Sequence, residues 1–148
     1  MPAMAARPLV AVLDTNVVIA ALLWNGPPSS LLTRATERQD LVLVTSPTLL
    51  AELTDILALP KFWNRLADAA TSVEELVVAY RDATVLVTPR EVPRVVADDV
   101  DDDHVIAAAV AARAQCIVTG DRTHLLPLGA HGDIAIISPR QCLDLLGP

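Results

Sequence analysis

At 148 residues the chain has the length of one domain, 1–148, long enough to bury about 68–70% of the surface its unfolded form exposes. A net charge of −7 and a pI near 4.7 argue against a broad basic nucleic-acid footprint. No apolar run reaches the ~18 residues of a membrane span, and the first eight residues lack a signal-peptide core, so no membrane association and a cytoplasmic location are expected.

The chain is 53% apolar but only 3% aromatic, so its core must be built from Val, Leu, Ile and Ala. So high an apolar share without a membrane span hints at a buried oligomer or partner surface. Lys61 is the sole lysine, and an arginine-rich surface suits bidentate contact with phosphate or carboxylate. Cys116 and Cys142 lack metal-type or C-x-x-C spacing and read as small buried hydrophobes.

Residues 8–13 form the first predicted strand: the apolar run Leu9-Val10-Ala11-Val12-Leu13 stops at Asp14-Thr15-Asn16. Such a run reads as a buried central strand that delivers its polar side chain at the carboxyl end, where open α/β sheets bind ligands. Val17–Trp24 is a short helix, and Asn25-Gly26-Pro27-Pro28 breaks it. Ser29 is expected to cap a helix to about Arg38, and Leu41–Val44 is strand two. Ser46-Pro47 supplies an N-cap and a first-position proline for a helix to about Leu59. Lys61–Ala70 reads as helical, and Ser72-Val73-Glu74-Glu75 is a capping box for a helix to Arg81.

Thr84–Val87 is strand three. Residues 90–103 are expected to form an acidic loop, and His104–Arg113 an Ala-rich helix. Cys116–Thr119 is strand four, ending in Gly120-Asp121, and Ile134–Ile137 is strand five. Ser138-Pro139-Arg140-Gln141 opens a last helix to Leu146. Strands alternating with helices imply a three-layer α/β/α architecture around a five-stranded, mainly parallel sheet with right-handed crossovers.

Asp14 and Asp121 each follow an apolar strand, so both belong to the carboxyl edge of the sheet, and they flank one crevice if strands one and four are neighbours. On a helical wheel Glu52 falls beside the Leu49/Ile56 edge of an apolar arc, while Asp55 lies further toward solvent. Asp103 shares a helix line with Ile106, Ala107 and Val110, whereas Asp102 shares one with Ile106, Ala109 and Arg113. Asp103 is the better inward candidate, and Asp102 stays open. Converging carboxylates repel, and a hard divalent cation such as Mg²⁺ or Mn²⁺ removes that repulsion. Such a site can activate water and stabilise a phosphoryl oxygen for hydrolysis. Thr15, Asn16 and Thr119 are placed to orient ligands or bound water, and Arg122 is a candidate for substrate phosphate. Each acid also has an ordinary structural reading: helix N-cap for Asp14, solvated helix acid for Glu52, dipole complement for Asp101–Asp103, turn residue for Asp121. Arg34 and Arg38, one turn apart, could hold phosphate or a partner carboxylate, with a solvated face as the default. His104 reads as a surface residue, and His124 and His131 as loop residues.

Taken in order, Val12-Leu13-Asp14-Thr15-Asn16, Ser46-Pro47 leading to Glu52, Leu59-Pro60-Lys61-Phe62, Asp103 with Ile106-Ala107-Ala108-Ala109, Ile117-Val118-Thr119-Gly120-Asp121 and Ile136-Ile137-Ser138-Pro139 resemble the PIN domain family. The nearest branch is the toxin component of bacterial toxin–antitoxin pairs (VapC-like). The resemblance spans nearly the whole chain. It implies a Mg²⁺- or Mn²⁺-dependent endoribonuclease acting on RNA, a homodimer, and a cognate antitoxin that blocks the site. It also implies catalytic and metal-binding acids at Asp14, Glu52, Asp103 and Asp121. Two other readings stand beside it. One is a non-catalytic RNA- or protein-binding module on the same fold. The other is a haloacid-dehalogenase-type phosphatase, which Asn16 and the absence of a lysine before Asp121 other than Lys61 count against.

Overall fold

A computed structural model describes residues 7–90, 100–121 and 125–148, with the backbone alone for residues 100–102. The elements run β1 (Leu9–Leu13), α1 (Thr15–Leu23), α2 (Pro27–Glu37), β2 (Leu41–Thr45), α3 (Pro47–Leu57), a 3-10 turn (Pro60–Phe62), α4 (Trp63–Asp68), α5 (Val73–Asp82), β3 (Val85–Leu86), α6 (Val100–Ala112), β4 (Cys116–Val118), a second 3-10 turn (Leu126–Leu128), β5 (Ala130–His131), β6 (Ile134–Ile137) and α7 (Pro139–Leu146). The strand order is β3-β2-β1-β4-β6-β5, and every pair is parallel except β5 with β6.

Strand alternation splits the core in two. Leu9, Ala11 and Leu13 of β1 join Leu41, Leu43, Cys116 and Val118 on one face, covered by α1, α2, α3, α5 and α7. Val10 and Val12 join Val42, Val44, Ile117, Ile134 and Ile136 on the other, covered by α6. The result is the expected three-layer α/β/α fold. Val105, Ile106, Ala108 and Ala109 of α6 are enclosed, and small side chains let that helix lie close against the strands. Cys116 and Cys142 are both buried, and their mutual hydrogen bond together with burial holds the Cys116 thiol well above its ordinary range, away from reactive thiolate.

The caps explain most of the boundaries. Ser46 Oγ accepts from Leu49 N–H at 3.2 Å, and at α7 the full box forms, with Gln141 N–H on Ser138 Oγ at 3.2 Å and Ser138 N–H on Gln141 Oε1 at 2.8 Å. At α5 only the first half of the expected box is made: Ser72 Oγ takes Glu75 N–H at 3.1 Å, while the Glu75 carboxylate accepts from the Thr71 hydroxyl at 3.3 Å.

Several sequence expectations need correction. The sheet has six strands rather than five, because Ala130–His131 folds back on β6 as a short antiparallel edge and takes His131 out of the loop class. Two residues with no apolar run leave no strand signature. Ser29 is not the cap of α2: Gly26 is, and Pro27 and Pro28 open the helix, where a missing N–H costs nothing. Lys61–Ala70 divides into the 3-10 turn and α4. Of the expected acidic loop, residues 91–99 lie outside the described residues, and Val100–Asp103 belong to α6 rather than to a loop.

Candidate active site at the carboxyl edge of the sheet

From β1 the chain adds β2 and β3 on one side and β4 on the other, so the strand order reverses between β1 and β4. Crevices at the carboxyl ends of such switch points are where open α/β sheets take ligands. The register pairs Leu13 with Val118, and Asp14 N–H extends the ladder by donating to Val118 O at 2.9 Å. Asp14 and Thr119 therefore emerge side by side, as the sequence requires if strands one and four are neighbours.

Asp14 occupies the N-cap position of α1, and its carbonyl accepts from Val17 and Val18 N–H at 2.9 and 3.0 Å. Its carboxylate makes no capping bond. Instead Oδ2 accepts from the Thr119 hydroxyl at 2.9 Å. The same hydroxyl oxygen accepts from Asp121 N–H at 2.9 Å. One buried threonine thus fixes the first acid against the backbone that carries the second. Asp121 also retains its ordinary turn role: Oδ2 takes Leu125 N–H at 3.3 Å and its carbonyl takes Leu126 N–H at 2.9 Å.

The other two acids arrive on crossover helices, which start at the carboxyl edge because they return the chain to the amino edge for the next parallel strand. Asp103 lies near the start of α6 and is wholly enclosed, 0% exposed, against 7% for Asp14. Its inward reading from the helix line holds. The side chain of Asp102, like all of Arg122 and His124, lies outside the described residues. Glu52 is half-buried on α3, one turn beyond Leu49, which packs in the same cluster as Val105 and Ile106 of α6; Asp55 is exposed, as the wheel required. Thr15 is buried and Asn16 exposed in the first turn of α1.

The structure joins Asp14 and Asp121 through Thr119, and it brings Asp103 and Glu52 to the same end of the molecule. Among the described residues no three His, Cys, Asp or Glu side chains close on one metal-sized point. The donor chemistry nevertheless suits a hard cation: the groups are carboxylates, and two of them are withdrawn from water, which anions tolerate only with compensating positive charge, hydrogen bonds or a proton. Sequence reasoning gave no weight to Thr45, and took Ser46 only as a cap. Both are buried at the carboxyl end of β2, the strand that pairs with β1. The signal was available, since β2 ends its apolar run in Thr-Ser as β1 ends its own in Asp-Thr. Arg34 is no phosphate ligand: its guanidinium is spread over Asp40 and the carbonyls of Leu146 and Gly147.

A family model described as the PIN domain matches residues 10–123, which include Asp14, Glu52, Asp103 and Asp121. The chain belongs to the PIN domain family. PIN domains are generally nucleases and generally use divalent metals, and the α/β fold described above is theirs. Comparison with curated proteins gave no match, and comparison with solved structures gave none. No helix among the described residues of this PIN domain is long and apolar enough to cross a membrane.

Proposed function

We propose that this PIN domain is a Mg²⁺- or Mn²⁺-dependent endoribonuclease, the toxin of a type II toxin–antitoxin pair. The observation that carries the reading is the Asp14–Thr119–Asp121 connection at the strand-order switch, with the enclosed Asp103 on the adjoining helix. Asp14, Glu52, Asp103 and Asp121 would hold the cation, with Asp102 an alternative on α6. A divalent ion bound there supplies water activation and charge stabilisation at a phosphoryl oxygen. Thr119 holds the Asp14 carboxylate and the Asp121 backbone in a fixed relation, so neither has to reorganise when substrate arrives. Thr15 and Asn16 would orient bound water, and Arg122, next to Asp121 in the chain, would meet a substrate phosphate as a bidentate donor. The reading includes a cytoplasmic homodimer and a cognate antitoxin that covers the acid edge.

The test is cleavage of single-stranded RNA by the purified chain with Mg²⁺ or Mn²⁺. Cleavage is expected, and is expected to vanish with Asp14→Asn and in EDTA. Cleavage that survives EDTA overturns the reading. A second reading, a non-catalytic binding module on the PIN fold, is favoured by the fact that among the described residues no three acids close on one metal-sized point. Calorimetry that detects no Mn²⁺ binding at millimolar concentration would establish it. Membership of the PIN family leaves the phosphatase reading without support.

A further inference from the structure

The chain has two Trp, one Phe and one Tyr, and all but Tyr80 meet at one place. Trp24 ends α1, and Phe62 and Trp63 lie where the 3-10 turn passes into α4. The Trp24 and Phe62 rings are 6.4 Å apart and tilted by 58°. The Arg65 guanidinium lies 5.6 Å from the centre of the Trp24 ring, with its donors on Leu23 O, and Lys61 Nζ lies 5.2 Å from the centre of the Phe62 ring. Trp63 is anchored by Nε1–H on Ala58 O at 3.1 Å yet is 62% exposed, and Trp24 is 47% exposed. Two indoles are therefore fixed in orientation and left open to solvent, beside the only lysine of a chain whose net charge is −7.

Position adds to composition. α1 starts directly after Asp14 and is nine residues long, about 13 Å from end to end. It buries Val17, Val18, Ile19, Ala21 and Leu23. Asn16 in its first turn is exposed, Ala20 is half-buried, and the exposed Trp24 caps its carboxyl end, where its N–H donates to Ala20 O at 3.0 Å. The helix itself thus leads from Asp14 to the aromatic group.

We infer that Trp24 and Trp63, with Lys61 and Arg65, form a stacking site for single-stranded RNA that leaves the acid edge along α1. The inference rests on the ribonuclease reading and assigns it a substrate path. A single strand offers both chemistries the patch can use: base faces for the indoles and phosphates for Lys61, while Arg65, with its donors on Leu23 O, steadies the Trp24 ring. A duplex hides its base faces and does not fit. At stacked spacing the helix length corresponds to about four nucleotides between the acids and Trp24. Pre-set indoles cost little ordering entropy on binding.

The test uses the full chain in EDTA, so that nothing is cleaved, and reads emission from Trp24 and Trp63, the only tryptophans present. Titration with an oligoadenylate of about ten nucleotides is expected to quench that emission to saturation, and a duplex of equal length to quench it far less. Trp63→Ala, at an exposed position where folding is not at stake, should weaken binding by about tenfold or more. Lys61→Gln should weaken it less and flatten its salt dependence. Absence of quenching, or equal affinity in Trp63→Ala, overturns the inference. So does a concentration-dependent emission shift without RNA that Trp63→Ala abolishes, which would give the patch to a second copy of the chain. RNA cleavage with Mn²⁺ but no quenching in EDTA leaves the nuclease reading standing and removes this one; quenching without cleavage does the reverse.

Discussion

At the amino edge of the sheet Arg34 grips Asp40 with contacts down to 2.6 Å and spends its remaining donors on Leu146 O and Gly147 O, locking the end of α7 to α2 and to the entry of β2. At the carboxyl edge Thr119 joins Asp14 to Asp121, and Asp103 is enclosed on α6. The first group is complete within itself. Its charges are opposite, and its geometry is explained by docking α7. The second places acids at the point where the strand order reverses, the edge at which open α/β sheets take ligands. Opposite charges explain the first group by the docking they perform; acids at a ligand-binding edge make the second the place to test for chemistry.

That contrast breaks most sharply at Asp103. Asp103→Asn should lower metal-dependent RNA cleavage by more than about a hundredfold, since a metal-site acid contributes several kcal/mol to the transition state. The melting temperature should change little by comparison, because Asn keeps the volume of the enclosed side chain. A large loss of stability with activity retained would move Asp103 into the structural class. Thr119→Val comes next. It keeps the shape but deletes the hydroxyl between Asp14 and Asp121, and cleavage or Mn²⁺ affinity should fall about 10- to 100-fold. Unchanged kinetics would show that the two acids do not depend on their shared tether.

Arg34→Ala should do the opposite and lower the melting temperature without changing the cleavage rate of the folded fraction. It also carries a pH signature. The Arg34 hydrogen bond, chiefly, holds the Asp40 carboxyl below its ordinary 3.8. A lowered folded-state value means the contribution is fully present above about 3.8 and is lost as pH falls through the lower value. Acid unfolding of the native chain should therefore steepen below about pH 4, and Arg34→Ala should remove that part of the slope. Melting curves at a series of pH values check both statements.

Legibility followed the range of the forces involved. The apolar runs at β1, β2, β4 and β6, the caps at Ser46 and Ser138, and the wheel positions of Glu52, Asp55 and Asp103 could be read directly, because each depends on neighbours within a turn or a strand. The start of α6 was misplaced, since three acids in a row read as loop until the dipole and the buried side of the helix are weighed together. The β5 edge escaped because two residues pairing across a turn have no pattern of their own. Arg34 looked available because its partners, Leu146 and Gly147, lie more than a hundred residues away.

The residues in order determined the layered α/β fold, the acids after strand ends and near helix starts and the family to which the chain belongs, because periodicity and caps are local and the motifs keep their sequence. Tertiary structure decided that β1 and β4 are neighbours, that a threonine from one strand end binds the aspartate of the other, and that Trp24 meets Phe62. Those contacts bridge long stretches of chain, and only the packing of the sheet against its helices brings their partners within bonding reach.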